Sequence, residues 1–190
     1  MYNYTLSLIA GLIAMCFVIT SYFVPRKKDY LLLQATALFL LSCSYLFLEE
    51  YFATVAYVVS LIRVVIYYLF EKNGKGTPIY IKLFFALLVI VMYVVVNIII
   101  LKTVNWIDII CVVSNLLYTF IFGIRNLRLM RYVILIPTFL ALLYNVLIMA
   151  TVFVIVSYSF ELLANIVSII KFDIIDKRKD KQNIEGELNE

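Results

Sequence analysis

No histidine occurs anywhere in the 190 residues, and there are only three cysteines, three prolines and five glycines. The chain therefore has no H-E-x-x-H zinc site, and it also lacks G-x-S-x-G and a Walker-type phosphate loop. No residue set suits a catalytic metal, so neither an enzyme activity nor a cofactor is expected. Cys16, Cys43 and Cys111 show no C-x-x-C spacing and read as small buried apolar residues, not as a disulfide or metal site. Charge is scarce as well: 15% of the residues are Asp, Glu, Lys or Arg, against 65% hydrophobic. That balance excludes an ordinary soluble domain and leaves an integral membrane protein.

What is present is a series of long apolar runs. Crossing the roughly 30 Å hydrocarbon core takes about 20 helical residues. Cut at polar punctuation, the runs are Tyr4 to Val24, Leu31 to Leu48, Tyr51 to Phe70, Ile79 to Leu101, Trp106 to Ile124, Met130 to Met149 and Thr151 to Ile170. The last two carry no charge between them. As one helix they would extend roughly 60 Å, so a turn near Ala150 is expected. The reading is an all-α membrane protein with seven transmembrane helices.

Charge tests that count independently. Fourteen of the sixteen Lys and Arg residues sit in "PRKKD", "EKNGKGTP", "RNLRLMR", the tail "KFDIIDKRKDK" or at Lys82. The opposite ends offer Glu49, Glu50, Lys102 and Asp108. The positive-inside rule then places the N-terminus outside and the C-terminus in the cytoplasm. The first run is followed by its basic residues, is about twenty residues long and has no A-x-A-like cleavage site, so it reads as a permanent helix and not a secretion signal. Topology explains the positive charge, and nucleic acid is not an expected partner. The tail from 173 reads as a disordered cytoplasmic segment whose basic part can rest on anionic lipid.

Sliding the chain on itself by about 100 residues aligns runs 1, 2 and 3 with 5, 6 and 7. Tyr45 meets Tyr144 or Asn145, Arg63 meets Asn165, and "PRKKDY" meets "RNLRLMR". The expected organisation is a first three-helix repeat (1–72), a linker with the fourth helix (73–105), a second repeat (106–172) and the tail (173–190). Because three is odd, the fourth helix restores orientation, and the two repeats are parallel in a 3+1+3 plan. That plan resembles the SWEET, SemiSWEET and PQ-loop transporters, which implies a binding site near the midplane between the halves. Hinge prolines of that group are mostly missing: Pro25 ends the first run and Pro137 lies inside the sixth.

The stretch "QATALFLLSCSYLFLEEYFATVAYVVSLIR", Gln34 to Arg63, carries a closer likeness, as do Tyr144-Asn145 and "ANIVSIIKF", Ala164 to Phe172. With a glutamine opening the second span and Ile62-Arg63 in the third, the chain resembles the YgjV family of bacterial inner-membrane proteins over roughly residues 10 to 175. The resemblance implies residence in the bacterial plasma membrane.

Charged and amide residues inside the runs are the candidate site. An arginine at the centre of a membrane helix costs about 2.5–3.5 kcal/mol on insertion scales. Arg63 stands nine residues before Lys72, roughly 13 Å, farther than its side chain snorkels comfortably. Glu161, in the mate of its helix, is the other deeply placed charge, and direct or water-bridged pairing of the two stands beside snorkelling of Arg63 as the alternatives. Asn165 shares a face with Glu161, while Asn145 and Asn115 join them if they face inward; Asn97 is harder to place. As helix glue, such amides contribute about 0.6–2 kcal/mol each. Arg63, Glu161, Asn165, Asn145 and Asn115 are thus the expected substrate-binding residues of a small-solute transporter working by alternating access. Gain or loss of a proton at Glu161 would couple such a carrier to protons. The other reading is a non-transporting membrane interaction or regulatory subunit in which the same residues hold helices together. The bilayer and an unidentified solute are the expected partners, and a homo-oligomer is compatible with either reading.

Overall fold

The computed structural model of the chain describes residues 2–49, 51–95, 106–147 and 152–175, with side chains for 4–49, 54–95, 106–147 and 154–172. Glu50, Asn97, Lys102, Ala150 and the tail beyond 175 lie outside the described residues. Among the described residues the chain forms seven α-helices: α1 Tyr2–Ser21, α2 Lys27–Phe47, α3 Tyr51–Lys72, α4 Ile79–Val94, α5 Trp106–Ile121, α6 Leu127–Leu147 and α7 Val152–Ile169. A π-helical segment, Ile170–Ile175, continues α7.

Five of the helices are long and apolar enough to cross a membrane, while α4 and α5 are apolar helices of 16 residues each. Sixteen residues rise about 24 Å, short of the hydrocarbon thickness. The fourth run, expected to reach Leu101, leaves the described residues after Val95.

Helix ends correct several expected boundaries. Lys27 to Asp29 and Leu127 to Leu129, read as loop, are the first turns of α2 and α6. The N–H of Tyr30 donates to the Arg26 carbonyl at 3.1 Å and that of Met130 to the Asn126 carbonyl at 3.0 Å. Asn126 also caps α6, its Oδ1 accepting from the Arg128 N–H at 2.9 Å. Polar residues fit a first turn because water and headgroups reach it, so an apolar run understates a membrane helix at such an end. Conversely, α1 and α5 stop at Ser21 and Ile121, three residues before their apolar runs do. Pro25 disfavours helical geometry at the residue before it.

These ends recur at one interval. Ser21, Lys27 and Phe47 bound α1 and α2 where Ile121, Leu127 and Leu147 bound α5 and α6, an offset of 100 residues in each case. Packing follows the same order: α2 lies against α1 and α3, and α6 against α5 and α7. Between these groups α7 touches α1, and α4 packs on α5. The α3 helix closes on Gly74, whose φ of +67° admits glycine readily, with the Lys75 N–H donating to the Phe70 carbonyl at 3.0 Å.

Outward faces are apolar, as a lipid-facing surface requires: Leu8, Ile9, Leu12 and Ile13 on α1 and Leu83, Phe84, Leu87 and Val91 on α4 are all exposed. The cysteines, expected to be buried, share this environment in part. Cys16 is exposed and Cys43 and Cys111 are half-buried, because hydrocarbon accepts a small thiol as readily as a core does. The buried core gathers near the ends of α1 and α5 and is rich in aromatics: Tyr22, Tyr30, Tyr67, Phe85 and Phe122 pack with Leu31, Val64, Met130 and Ile134.

Candidate functional site

The last turn of α5 meets α3. Arg63 is 5% exposed, and its Nη1 donates to Thr119 Oγ1 at 2.5 Å. Thr119 passes its own proton to the Asn115 carbonyl at 2.9 Å, one turn back on α5. One turn along α3 from Arg63, the Tyr67 hydroxyl donates to the Thr119 carbonyl at 2.9 Å. The Phe122 ring lies 5.9 Å from the guanidinium carbon, where its π face adds attraction. Both groups stand at the C-terminal end of α5, whose dipole is negative and favours a cation. Arg63 Nε has no partner. The arginine is therefore held by a neighbouring helix and does not run out along its own.

The end of α1 is gripped by α7 and α6 instead. Tyr22, fully buried in the turn after α1, donates its hydroxyl to Glu161 Oε1 at 2.7 Å. Ser168 Oγ, two turns further along α7, donates to the Tyr22 carbonyl. Arg131 is buried on α6, its Nη2 donating to the Val24 carbonyl at 2.8 Å and its guanidinium carbon 4.6 Å from the Phe172 ring centre. Asn165 is fully buried and donates its Nδ2 to the Arg131 carbonyl at 3.0 Å. Its Oδ1 is buried without a partner.

Direct pairing of acid and base does not occur: no ion pair joins Arg63 and Glu161. Arg63 faces α5, Glu161 faces the turn after α1, and an aromatic wall lies between. Along that wall Tyr22 packs edge-on against Tyr30 at 5.6 Å, and Tyr30 against Phe122 at 6.1 Å. Glu161 and Asn165 do stand one turn apart on α7. The side-chain amides of Asn115 and Asn145 do not join this cluster; each donates back to its own helix, Asn115 to the Cys111 carbonyl at 3.0 Å and Asn145 to the Ala141 carbonyl at 2.7 Å.

Several residues of the junction carried no sequence signal as candidates. Tyr22, Thr119 and Ser168 are ordinary hydroxyl residues in a chain with fifteen tyrosines. Arg131 falls in the stretch "RNLRLMR", which the charge pattern reads as a basic loop. Its position 100 residues after Leu31, which is fully buried, was the available clue. Gln34, part of the family resemblance, donates to Ser21 Oγ at 3.0 Å, and Ser21 in turn donates to the Val18 carbonyl at 2.6 Å. The Ile-Ile-Lys-Phe ending acquires a physical role too, since it carries Phe172 beneath the Arg131 guanidinium.

Residues 5–175 match the Imp-YgjV family, described as a bacterial inner membrane protein. The chain belongs to that family. This Imp-YgjV protein is accordingly a multi-helix protein of the bacterial inner membrane, in keeping with its five membrane-length helices. No curated protein and no solved structure matches it. In this Imp-YgjV chain the matched segment takes in all seven helices, except the first residues of α1, and the whole junction around Tyr22 and Thr119.

Proposed function

We propose that the chain is a small-solute carrier in which two parallel three-helix repeats, α1–α3 and α5–α7, rock against each other about the junction, with α4 joining them and the basic loops in the cytoplasm. One observation carries this reading. The hydrogen bonds between the two triplets gather at the basic-loop end: Tyr22 to Glu161, Ser168 to Tyr22, Arg131 to Val24, Arg63 and Tyr67 to Thr119. At the other end three described contacts lie inside a triplet, although Tyr57 and Tyr158 come within electrostatic reach of each other across the triplets. Ser44 Oγ donates to the Ser7 carbonyl at 2.8 Å, Tyr45 stacks on Tyr57 at 4.9 Å, and the Tyr144 hydroxyl approaches Asp108 at 3.4 Å. Further from the junction, Ser157 to Met15 Sδ at 3.6 Å is a weak link across the triplets. A bundle whose cross-ties concentrate at one end suits one limit of an alternating-access cycle.

Charge placement supports the same reading. An acid and a base used only as glue inside a membrane bundle would lower their energy by meeting, since each is costly alone. Here each is held by neutral groups, which leaves both able to answer a solute. A second reading, a non-transporting membrane subunit, draws on Asn115 and Asn145, whose amide nitrogens donate back to their own helices.

Substituting Glu161→Gln in protein reconstituted into liposomes separates the two. The carrier reading expects a folded protein whose uptake from a panel of labelled sugars, amino acids, vitamins and nucleosides is lost or uncoupled. The subunit reading expects lower yield or lost association with no protein-dependent uptake in wild type. Uptake present in wild type and unchanged in Glu161→Gln removes Glu161 from the mechanism.

A further inference from the structure

The cations of the junction already have fixed counterparts. Lys27 Nζ meets Glu71 Oε2 at 2.8 Å. Lys82 Nζ donates to the Gly123 carbonyl at 3.2 Å and Arg131 to the Val24 carbonyl, both just past the C-terminal ends of α5 and α1, where orphan carbonyls concentrate negative potential. Arg63 has Thr119 and the Phe122 ring at the same end of α5.

Glu161 stands apart from that pattern. Among the described residues no cationic side chain pairs with it, and its one hydrogen bond comes from a neutral phenol at Oε1. Its side chain is half-buried. Around it are aromatic rings: Tyr22 in direct contact, and Tyr30, Tyr118 and Tyr158 within electrostatic reach. One turn along the same helix, the fully buried Asn165 Oδ1 is a second acceptor with no donor. A carboxylate with no cation and an amide oxygen with no donor, about 6 Å apart along a helix and beside several tyrosines, present negative charge and hydrogen-bond acceptance with nothing to receive.

We propose that Glu161, Asn165 and the tyrosines around Glu161 form a site for an organic ammonium ion bearing N–H groups, the charged part of the solute carried. This rests on the carrier reading and names its substrate class. The ammonium takes the place an arginine or lysine would occupy in a static pair: one N–H to Glu161 Oε2, another toward Asn165 Oδ1 as the bundle opens, and the charge against the tyrosine rings. An anion is disfavoured at this spot by the carboxylate itself, and a neutral solute leaves the charge unanswered.

The test uses the purified full-length protein in detergent and follows its thermal midpoint with n-propylammonium chloride, propionamide and sodium propionate, against sodium chloride of equal ionic strength. Binding to the folded state raises the midpoint with ligand concentration. Propylammonium is expected to raise it and the two isosteres are not; tetramethylammonium, which has charge but no N–H, is expected to raise it less. Glu161→Gln should abolish the propylammonium shift and Glu161→Asp should keep a weaker one. Tyr158→Leu, which leaves the Tyr22 contact intact, should weaken apparent affinity several-fold and keeps the test decisive if Glu161→Gln does not fold.

A propylammonium shift that survives in folded Glu161→Gln, or no shift in wild type, overturns the proposal. If propionate or propionamide gives the shift that Glu161→Gln removes, the ammonium assignment falls while the carrier reading stands. If no solute of any charge shifts the midpoint and the liposome panel is silent, both fall.

Discussion

The helix pairs α1–α2 and α5–α6 share ends that recur at 100 residues and differ in what they place there. Both α1 and α5 end with a hydroxyl in the last turn that donates back to its own helix, Ser21 to Val18 and Thr119 to Asn115. At α1 the hydroxyl accepts from Gln34, a neighbour in its own triplet; at α5 it accepts from Arg63, in the other triplet. One residue past Ser21 stands Tyr22, which reaches across to Glu161; its counterpart 100 residues on is Phe122, which has no hydroxyl and faces Arg63 with its ring. Leu31 on α2 is a plain core residue, while Arg131, its counterpart on α6, ties to the turn after α1. Matching helix ends thus carry an asymmetric set of charges. The lesson is that helix ends can recur at a fixed interval while the polar chemistry differs, because turn geometry depends on capping and packing and leaves side chains free to change.

Substitutions on the two sides can break or sharpen this comparison. Replacing Tyr22 by Ala removes a fully buried ring and the hydrogen bond to Glu161, and is expected to cost about 3–5 kcal/mol, with Phe122→Ala costing less because no hydrogen bond goes with the ring. Thermal or denaturant unfolding in detergent measures both. Equal losses would mean that the Tyr22 hydroxyl contributes nothing and that the two turns are equivalent.

A smaller effect is expected from Thr119→Val, which leaves the Arg63 guanidinium without the acceptor at Nη1. It should cost about 1–2 kcal/mol, more than Ser21→Ala, whose donor is the neutral Gln34 amide. The same unfolding measurement decides, and a larger loss at Ser21 would reverse the assignment of which triplet depends on the other.

The smallest effects belong to Asn115→Ala and Asn145→Ala, each expected within about 0.5 kcal/mol of wild type because the amide bonds only to its own helix one turn back. Either substitution abolishing uptake from the liposome panel while leaving the unfolding midpoint in place would show that the amide turns inward during the cycle.

Much of the scaffold was legible because a bilayer imposes one rule that sequence displays directly: apolar runs of set length, alternating with basic and non-basic ends. Arg63 and Glu161 were legible as exceptions to it. Their partners were not, since Thr119 and Tyr22 become special only when α5 meets α3 and α7 meets the turn after α1, and nothing local marks one hydroxyl among many. Charge counting also concealed Arg131. A rule that explains every basic residue near a loop has no means of noticing one that is buried. The spacing of Asn165 from Glu161 correctly placed them on one face, yet the depth match with Arg63 did not become contact, because depth leaves open which way each helix is turned about its own axis.

The 56 residues between Arg63 and Thr119 have a consequence for how the chain is made. Synthesis runs from the N-terminus, so α3 reaches the membrane with its arginine before α5 exists to receive it. Tyr22 waits longer, through 139 residues, for Glu161. The first triplet therefore cannot mature alone: until the second arrives, its arginine must be sheltered by the insertion machinery, by lipid headgroups or by water. A nascent chain halted after α4 is by this logic a species with an unmet charge in oil, which is a ready signal for the membrane's quality control.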